Sequence, residues 1–371
     1  MNEPNAWRVI PTRQWPPKGR PLPPVSPSLA AVFKACPLQA VFASSGEYPR
    51  RVTPYMLIGR AYHRTLEAIP SLVENVRWDP AEAAKLALMK FREVLQEERN
   101  QNSSERGSAI PWPDERVSRA EIALILEVRQ YASQGATLQE VILERRMESH
   151  DGLLVGIADR VERHAHGVRI VDIKTGSMQS ADEGFRHQVL AYAYLWHETT
   201  GEWPVDALIE HPLEGVKTRV EVSPSECVAV GDEMRVLARQ LVEGLADPKY
   251  LARPGAPCVG CDFRPWCEPF WASQRDRRDK REQLMATEVG VEGIADSIQG
   301  LGEHWRIELT WWGGSLPLLV PRSAFPHIAQ LRAGDRARLI DTSIRGSLSD
   351  PVAAATEWSE IFVVVDGDDR R

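Results

Sequence analysis

The chain has 371 residues, 43% of them apolar and 26% charged, and a formal net charge of -7. That is enough to bury a full core and to divide into two domains, with the composition of an ordinary soluble globular protein. The negative balance excludes a general coat of positive charge for gripping nucleic acid, while leaving room for a local basic groove.

The N-terminus, Met1-Asn-Glu-Pro-Asn-Ala-Trp7, is polar with no apolar leader, and no apolar run is long enough to span a membrane. No membrane partner is expected, and cytoplasmic residence is the default. Residues 1–27 hold eight prolines and read as an extended arm, a linker or a partner-docking segment. Amphipathic helices are expected over Ser28 to Ala43, Thr53 to Ile69, 79–100 and 114–134, with a polar loop from Asn100 between the last two and Gly135 closing the fourth. Val141 to Ser149 opens a run of strands that continues through Leu153–Glu162 and Val168–Lys174. Ser180 and Glu183 form a capping box for a helix reaching Glu198. Strands over 205–211 and 216–222 and a helix from Pro224 to about Leu245 follow. The charged run from Arg275 to Glu282 reads as a solvated helix separating this region from the tail. Short strands then recur (Trp305–Trp312, Leu316–Val320, Arg336–Ile340, Ile361–Val365), divided by Gly, Pro and Asp turns as in a small β-barrel or sandwich. The end, Asp366–Arg371, is expected to be disordered.

The chemistry concentrates in one hairpin. If His164–Gly167 form its turn, Asp159 lies directly opposite Asp172, with Cβ atoms about 4.5–5.5 Å apart. Alternation puts Lys174 on the same face. Val155, Ile157, Val161, Val168 and Ile170 share that face, which therefore points into a core, while Arg160, Glu162 and Arg169 take the other. Two carboxylates facing each other in an apolar layer repel and are costly to desolvate. A divalent cation is the simplest thing that reverses that cost. Metal-assisted hydrolysis needs oxygen ligands for a hard cation, a water acidified by it, and a positive side chain to orient the nucleophile. Asp159, Asp172 and Lys174 meet these needs, and the carbonyl of Ile173 is a further candidate ligand. Glu144, on the preceding strand, could face the same site.

Gly156-Ile-Ala-Asp159-Arg160 followed by Asp172-Ile-Lys174-Thr-Gly176 resembles the RecB-type branch of the PD-(D/E)xK nuclease superfamily. The resemblance extends over roughly residues 26–270. Gly59-Arg-Ala-Tyr-His63 is similar to that branch's first helix, where the histidine is a metal ligand. Gln188-Val-Leu-Ala-Tyr192 is similar to its glutamine-x-x-x-tyrosine helix, whose two residues, four apart, share a face against the active site. The resemblance implies that His63, Asp159 and Asp172, with the Ile173 carbonyl, hold Mg²⁺ or Mn²⁺. It implies that Lys174 positions the attacking water, with Gln188 and Tyr192 beside it.

Cys258-x-x-Cys261 and Cys267 cluster in one stretch, and Cys36 lies far upstream. In a reducing compartment such spacings suit thiolate coordination of zinc or of a cluster better than disulfides. One cysteine before the core and three after it resembles the iron–sulfur nucleases of the AddB and CRISPR-adaptation type, which implies a structural [4Fe–4S] cluster tying the two ends together. Cys227 reads as an ordinary packed thiol. In the tail, Trp305, Trp311 and Trp312 either fill a small core or form a stacking surface with Arg306, Arg322, Arg332, Arg336 and Arg338.

The expected architecture is an α/β PD-(D/E)xK restriction-endonuclease-like core, a mixed sheet flanked by helices, with a small C-terminal β-barrel-like domain. The expected divisions are an arm over 1–25, a nuclease domain over 26–272, a linker or helix over 273–300 and the small β domain over 301–366. The function implied is metal-dependent hydrolysis of DNA, single-stranded or at ends; a non-cleaving subunit that grips DNA ends is the alternative. The chain has no Gly-x-x-x-x-Gly-Lys-Ser/Thr phosphate loop, so any unwinding would come from a helicase or a defence-complex partner.

Overall fold

The structure, a computed structural model, describes residues 9–11, 24–77, 79–108, 110–134, 140–176, 182–243, 251–279, 289–311, 314–323, 325, 328–329, 331–347, 350–356 and 358–365. Most of the proline-rich arm, Gly135, Ser180, the last part of the charged run, Trp312 and Asp366–Arg371 lie outside these residues. Within the arm, a short strand β1 (Val9–Pro11) is present.

The helix expected over 28–43 is two, α1 (Pro27–Ala35) and α2 (Pro37–Ser45). The break falls at Cys36, which is extended (φ -151°) because the proline after it disfavours the helical region. Next, α3 (Pro54–Asn75) starts at Thr53, whose side chain accepts the Met56 amide, and runs past the expected stop through Pro70. Buried Ile69 and Val73 flank that proline and keep the face packed. Two more helices, α4 (Pro80–Gln101) and α5 (Asp114–Gln134), complete a layer.

A mixed sheet follows: β2 (Glu140–Glu148), β3 (Val155–His164), β4 (Gly167–Ile173), and then, after α6 (Asp182–Thr200), β5 (Asp206–His211) and β6 (Val216–Glu221). Its order is β2-β3-β4-β5-β6, with β4 and β5 parallel and the other neighbours antiparallel. Val161, Val168, Ile170 and Ile209 on one face pack against α1, α2, α6 and α7 (Pro224–Glu243). Val171 and Ile173 on the other pack against α3, α4 and α5. Both faces are therefore covered, which corrects the picture of one core face and one polar face. Arg160 and Glu162 are buried with the rest, and Arg160 spans Glu162 (2.8 Å), Glu210 (3.0 Å) and Glu127 (3.4 Å). Ile157 departs from its expected burial and is 44% exposed.

After α8 (Glu268–Asp279) the chain forms β7 (Val289–Leu301), β8 (His304–Trp311), β9 (Gly314–Pro321), β10 (Arg336–Ser347), β11 (Asp350–Ala354) and β12 (Glu360–Val365). Thus β7 occupies much of the segment expected to be a linker or helix. It pairs with both β8 and β10, and β9 runs parallel to β11, so the sheet curls back on itself as a barrel. β12 and β1 extend it beyond β10. Trp311 is core, Trp305 is part-buried beneath the Arg322 guanidinium (4.3 Å to the ring centroid), and Arg338 is fully buried on Glu292 and Glu268. Filling the barrel is thus what the two described tryptophans do.

Barrel and sheet domain meet through charge. Arg106, fully buried, donates to both oxygens of Glu360 (2.7 and 2.6 Å) and to the Pro49 carbonyl. Arg51 also reaches Glu360 and Asp341, and Arg264 donates to Asp341 at 2.7 Å. No described helix is long and apolar enough to cross a membrane.

Gly156 brings α6 onto β3: a Cβ there would lie 2.8 Å from Leu195 Cδ1 and 2.9 Å from Tyr192 Cδ1. Gly156→Ala is expected to lower unfolding free energy by about 1–3 kcal/mol in chemical denaturation, the usual range for overpacking.

Candidate active site

The hairpin has the expected register. Arg160 pairs with Val171 and His164 with Gly167, so continuing the ladder by one step sets Asp159 against Asp172. The ladder itself stops at Arg160, and the Asp159 carboxylate takes over by accepting the Ile173 amide at 2.6 Å. At this fork the two strands part and two acids remain between them.

Four elements deliver side chains here. From α3 comes His63, whose Nδ1 is 3.6 Å from the second Asp159 oxygen. β2 contributes Glu144, in a left-handed conformation (φ 48°) that interrupts its alternation. His63, Glu144 and Asp159 each offer a ligand atom within 4.8 Å of the other two, the one such group of three among the described residues. They line an open cleft with Glu67 and Ile173. The Ile173 carbonyl meets the His63 ring, as a hydrogen bond from the imidazole requires. Asp172 is not in the trio. Its buried carboxylate is held by Lys174 Nζ at 2.8 Å, close enough to act electrostatically on His63.

Lys174 is fixed from three sides. It donates to Asp172 and, at 2.9 Å, to Gln188, whose amide donates to the Tyr192 hydroxyl at 2.7 Å. The Phe185 ring lies 5.0 Å from its Nζ. A Cβ on Gly59 would sit 2.6 Å from Thr175 Oγ1, so only glycine lets α3 approach the loop after Lys174 this closely.

Burial dominates the electrostatics. It pushes Asp159 and Asp172 above the ordinary carboxylate range, opposed by Lys174, and their mutual repulsion adds to the rise for Asp172. Glu144 is pushed up to about 7 by burial and by Asp159 and Glu67. Burial also holds His63 below its usual value, toward the neutral form that binds metals. Three carboxylates that resist ionising, one neutral imidazole and a carbonyl form a donor set of the hard, oxygen-rich kind that suits Mg²⁺ or Mn²⁺.

A second cluster lies at the far end of the domain. Cys36, Cys258, Cys261 and Cys267 come close enough that their charges bear on one another. The Leu38 amide donates to the Leu251 carbonyl at 3.1 Å and Phe42 stacks on Phe263, so both ends of the domain meet there. Burial raises the Cys261 thiol to about 11 and that of Cys267 to about 12. Cys227, in the first turn of α7, is buried in the core and is not among them.

Residues 24–268 match the PD-(D/E)XK nuclease superfamily. The chain belongs to that superfamily. Over 132 residues it is 35% identical to the CRISPR-associated exonuclease Cas4 of Aeropyrum pernix, a match covering 33% of this chain and 62% of that protein. Among solved structures it is similar to that titled SSO0001 (14% identity, TM-score 0.27, 57% of this chain and 94% of that one). It is also similar to the tetrameric p202 HIN2 (15% identity, TM-score 0.19, 22% and 46%). Likenesses that distant carry no argument.

The sequence did not single out Glu144 as a ligand. Its one signal was its place on the strand preceding the hairpin, since a left-handed residue breaks the alternation that assigns faces.

The raised carboxyls set a pH dependence. Without an ion, the site stabilises the fold when protonated, and that contribution is lost as pH rises through about 7, where Glu144 ionises. An ion that binds the ionised carboxylates removes the penalty in that upper range. Mn²⁺ should therefore raise Tm clearly at pH 8 and little at pH 5.5 in scanning calorimetry. Equal shifts at both pH values would contradict this account.

Proposed function

We propose that the chain is a metal-dependent deoxyribonuclease acting on single-stranded DNA or on DNA ends. The observation that carries this reading is the convergence of His63, Glu144 and Asp159 beside the Asp172–Lys174 pair. His63, Asp159 and Glu144 would hold the ion, with Asp172 and the Ile173 carbonyl next to them. A divalent ion in that place supplies Lewis acidity toward water and the phosphate. Lys174, oriented by Gln188 and Asp172, is a fixed donor for the attacking water and for charge developing on the phosphate. Tyr192 holds Gln188 in turn. The substrate class rests on family membership and on the likeness to a relative named an exonuclease. That relative is CRISPR-associated, which supports work beside a defence-complex protein; a helicase partner and a cytoplasmic place are proposed from the family resemblance.

The four clustered cysteines are proposed to hold a structural [4Fe–4S] cluster. A single zinc with bonds of about 2.3 Å gathers its sulfurs to about 4 Å. Among the described residues no three of these cysteines bring their sulfurs within 4.8 Å of one another, which supports a group larger than one zinc ion. Buried thiols of high pKa at the meeting of the domain's two ends gain most from such a clasp.

With Mn²⁺ and anaerobically prepared protein, end-labelled single-stranded DNA should be cleaved, with duplex DNA and RNA run beside it. Asp172→Ala or Lys174→Ala should lower the rate roughly a thousandfold while leaving the protein folded, as circular dichroism would show. Full activity in a verified Asp172→Ala preparation would overturn the reading. Cys36→Ala should lose the brown colour and the bound iron; colourless wild-type protein containing zinc would reject the cluster.

A further inference from the structure

Two of the largest exposed aromatic side chains meet across the domain boundary. Tyr55, at the start of α3, and Trp358, in the turn between β11 and β12, are each 40% exposed, with ring centroids 6.1 Å apart at 36°. The Arg116 guanidinium of α5 lies 5.5 Å from the Tyr55 ring centroid. Aromatic side chains left this exposed, from two domains and beside a cation, are expensive to present to water without a use.

Both halves are held rigidly. The Trp358 turn is closed by hydrogen bonds from its own amide to Thr356 Oγ1 (3.2 Å) and from the Thr356 amide to Ser359 Oγ (2.9 Å). Ser359 is itself tied to the Asp341 carbonyl. Glu360, two residues past Trp358, takes the buried guanidinium of Arg106 together with Arg51, four residues before Tyr55. A buried ion network of this kind adds little net stability, but it fixes register, because any displacement leaves a charge unpaired. Here it registers Trp358 against Tyr55.

The pair also has a direction. His63 lies on the same helix eight residues on, about 12 Å along the axis at 1.5 Å per residue. Met56, 42% exposed, is two turns before His63 on its stripe, with Gly59 buried between them against Thr175. The aromatic pair and the cleft thus lie on one helix, about two turns apart.

We infer that Tyr55 and Trp358 form a composite stacking ledge for an unpaired segment of single-stranded DNA, placing a phosphate a few nucleotides away at the His63–Asp159 site. The ledge rests on the nuclease reading for its substrate. Stacking is sequence-tolerant, because every base has a π-face, and a strand must be unpaired to use it. The barrel thus contributes Trp358 of its edge turn to binding, while Trp305 and Trp311 pack in its core.

Binding is measured without catalysis, by fluorescence anisotropy of a labelled single-stranded oligodeoxynucleotide in EDTA. Against wild type, the Tyr55→Ala/Trp358→Ala double variant should bind about tenfold more weakly, the size expected for loss of base stacking. Tyr55→Phe and Trp358→Phe should stay within about twofold. Oligonucleotides carrying 5-iododeoxyuridine should photo-crosslink to Tyr55 or Trp358 of the wild-type protein, read by peptide mass. Undiminished affinity in a double variant of normal thermal stability overturns the ledge. If that variant fails to fold, the wild-type crosslink decides, and its absence from both residues overturns the proposal equally. Because this assay contains no metal it reads binding alone, so failure of the Mn²⁺ cleavage assay would refute the hydrolysis reading without touching the ledge.

Discussion

Carboxylates crowded at one fork of the sheet, Asp172 buried and Asp159 and Glu144 at an open cleft, are the constraint around which this chain is arranged. At the fork of the hairpin, Asp159 and Asp172 are held in place, one by the Ile173 amide and the other by Lys174. Glu144 and Glu67 add to the negative charge from neighbouring elements. Burial raises the pKa values of Asp159 and Asp172 and the ladder ends beside them, so the local backbone and the local electrostatics both leave space for a cation. A fold tolerates such a place only if its surroundings are rigid. The two glycines of the motifs serve that end: Gly156 admits α6 to β3, and Gly59 admits α3 to the loop carrying Thr175.

Under the site, on the α5 side of the sheet, Arg160 satisfies Glu127, Glu162 and Glu210 at once. Its neighbour Asp159 is thereby fixed on a strand that cannot slide without unpairing a buried charge. The same device recurs at the domain boundary, where Arg51, Arg106 and Arg264 engage Glu360 and Asp341. That boundary runs beside the cysteine stretch: Arg106 accepts nothing and donates to the Asp262 carbonyl, and Trp266 packs with Phe362 of β12. The thiols, the barrel and the start of α3 form one continuous body.

The hairpin was legible because a turn of known length sets register, and register decides which side chains face each other. His63, Lys174, Gln188 and Tyr192 come to the same place, as their motifs implied. Strand β7 was not legible. Its sequence, Val289-Gly-Val-Glu-Gly-Ile-Ala, is interrupted by glycine and carries a register shift between Ala295 and Ser297, so no clean alternation marks it. The split between α1 and α2 was signalled by Pro37, a residue whose effect on Cys36 is local.

Sequence alone determined what depends on near neighbours: the turn that opposes Asp159 and Asp172, the helix-face spacing of Gln188 and Tyr192, and the proline that ends α1. Tertiary structure decided what depends on distant segments arriving together. Glu144 joins His63 and Asp159 only through the left-handed kink in β2. Cys36 meets Cys261 and Cys267 only because the two ends of the nuclease domain pack side by side. Trp358 stands beside Tyr55 only because buried arginines hold the barrel in one register. Spacing along a chain carries no record of such meetings, since contacts between remote segments are set by how whole layers pack.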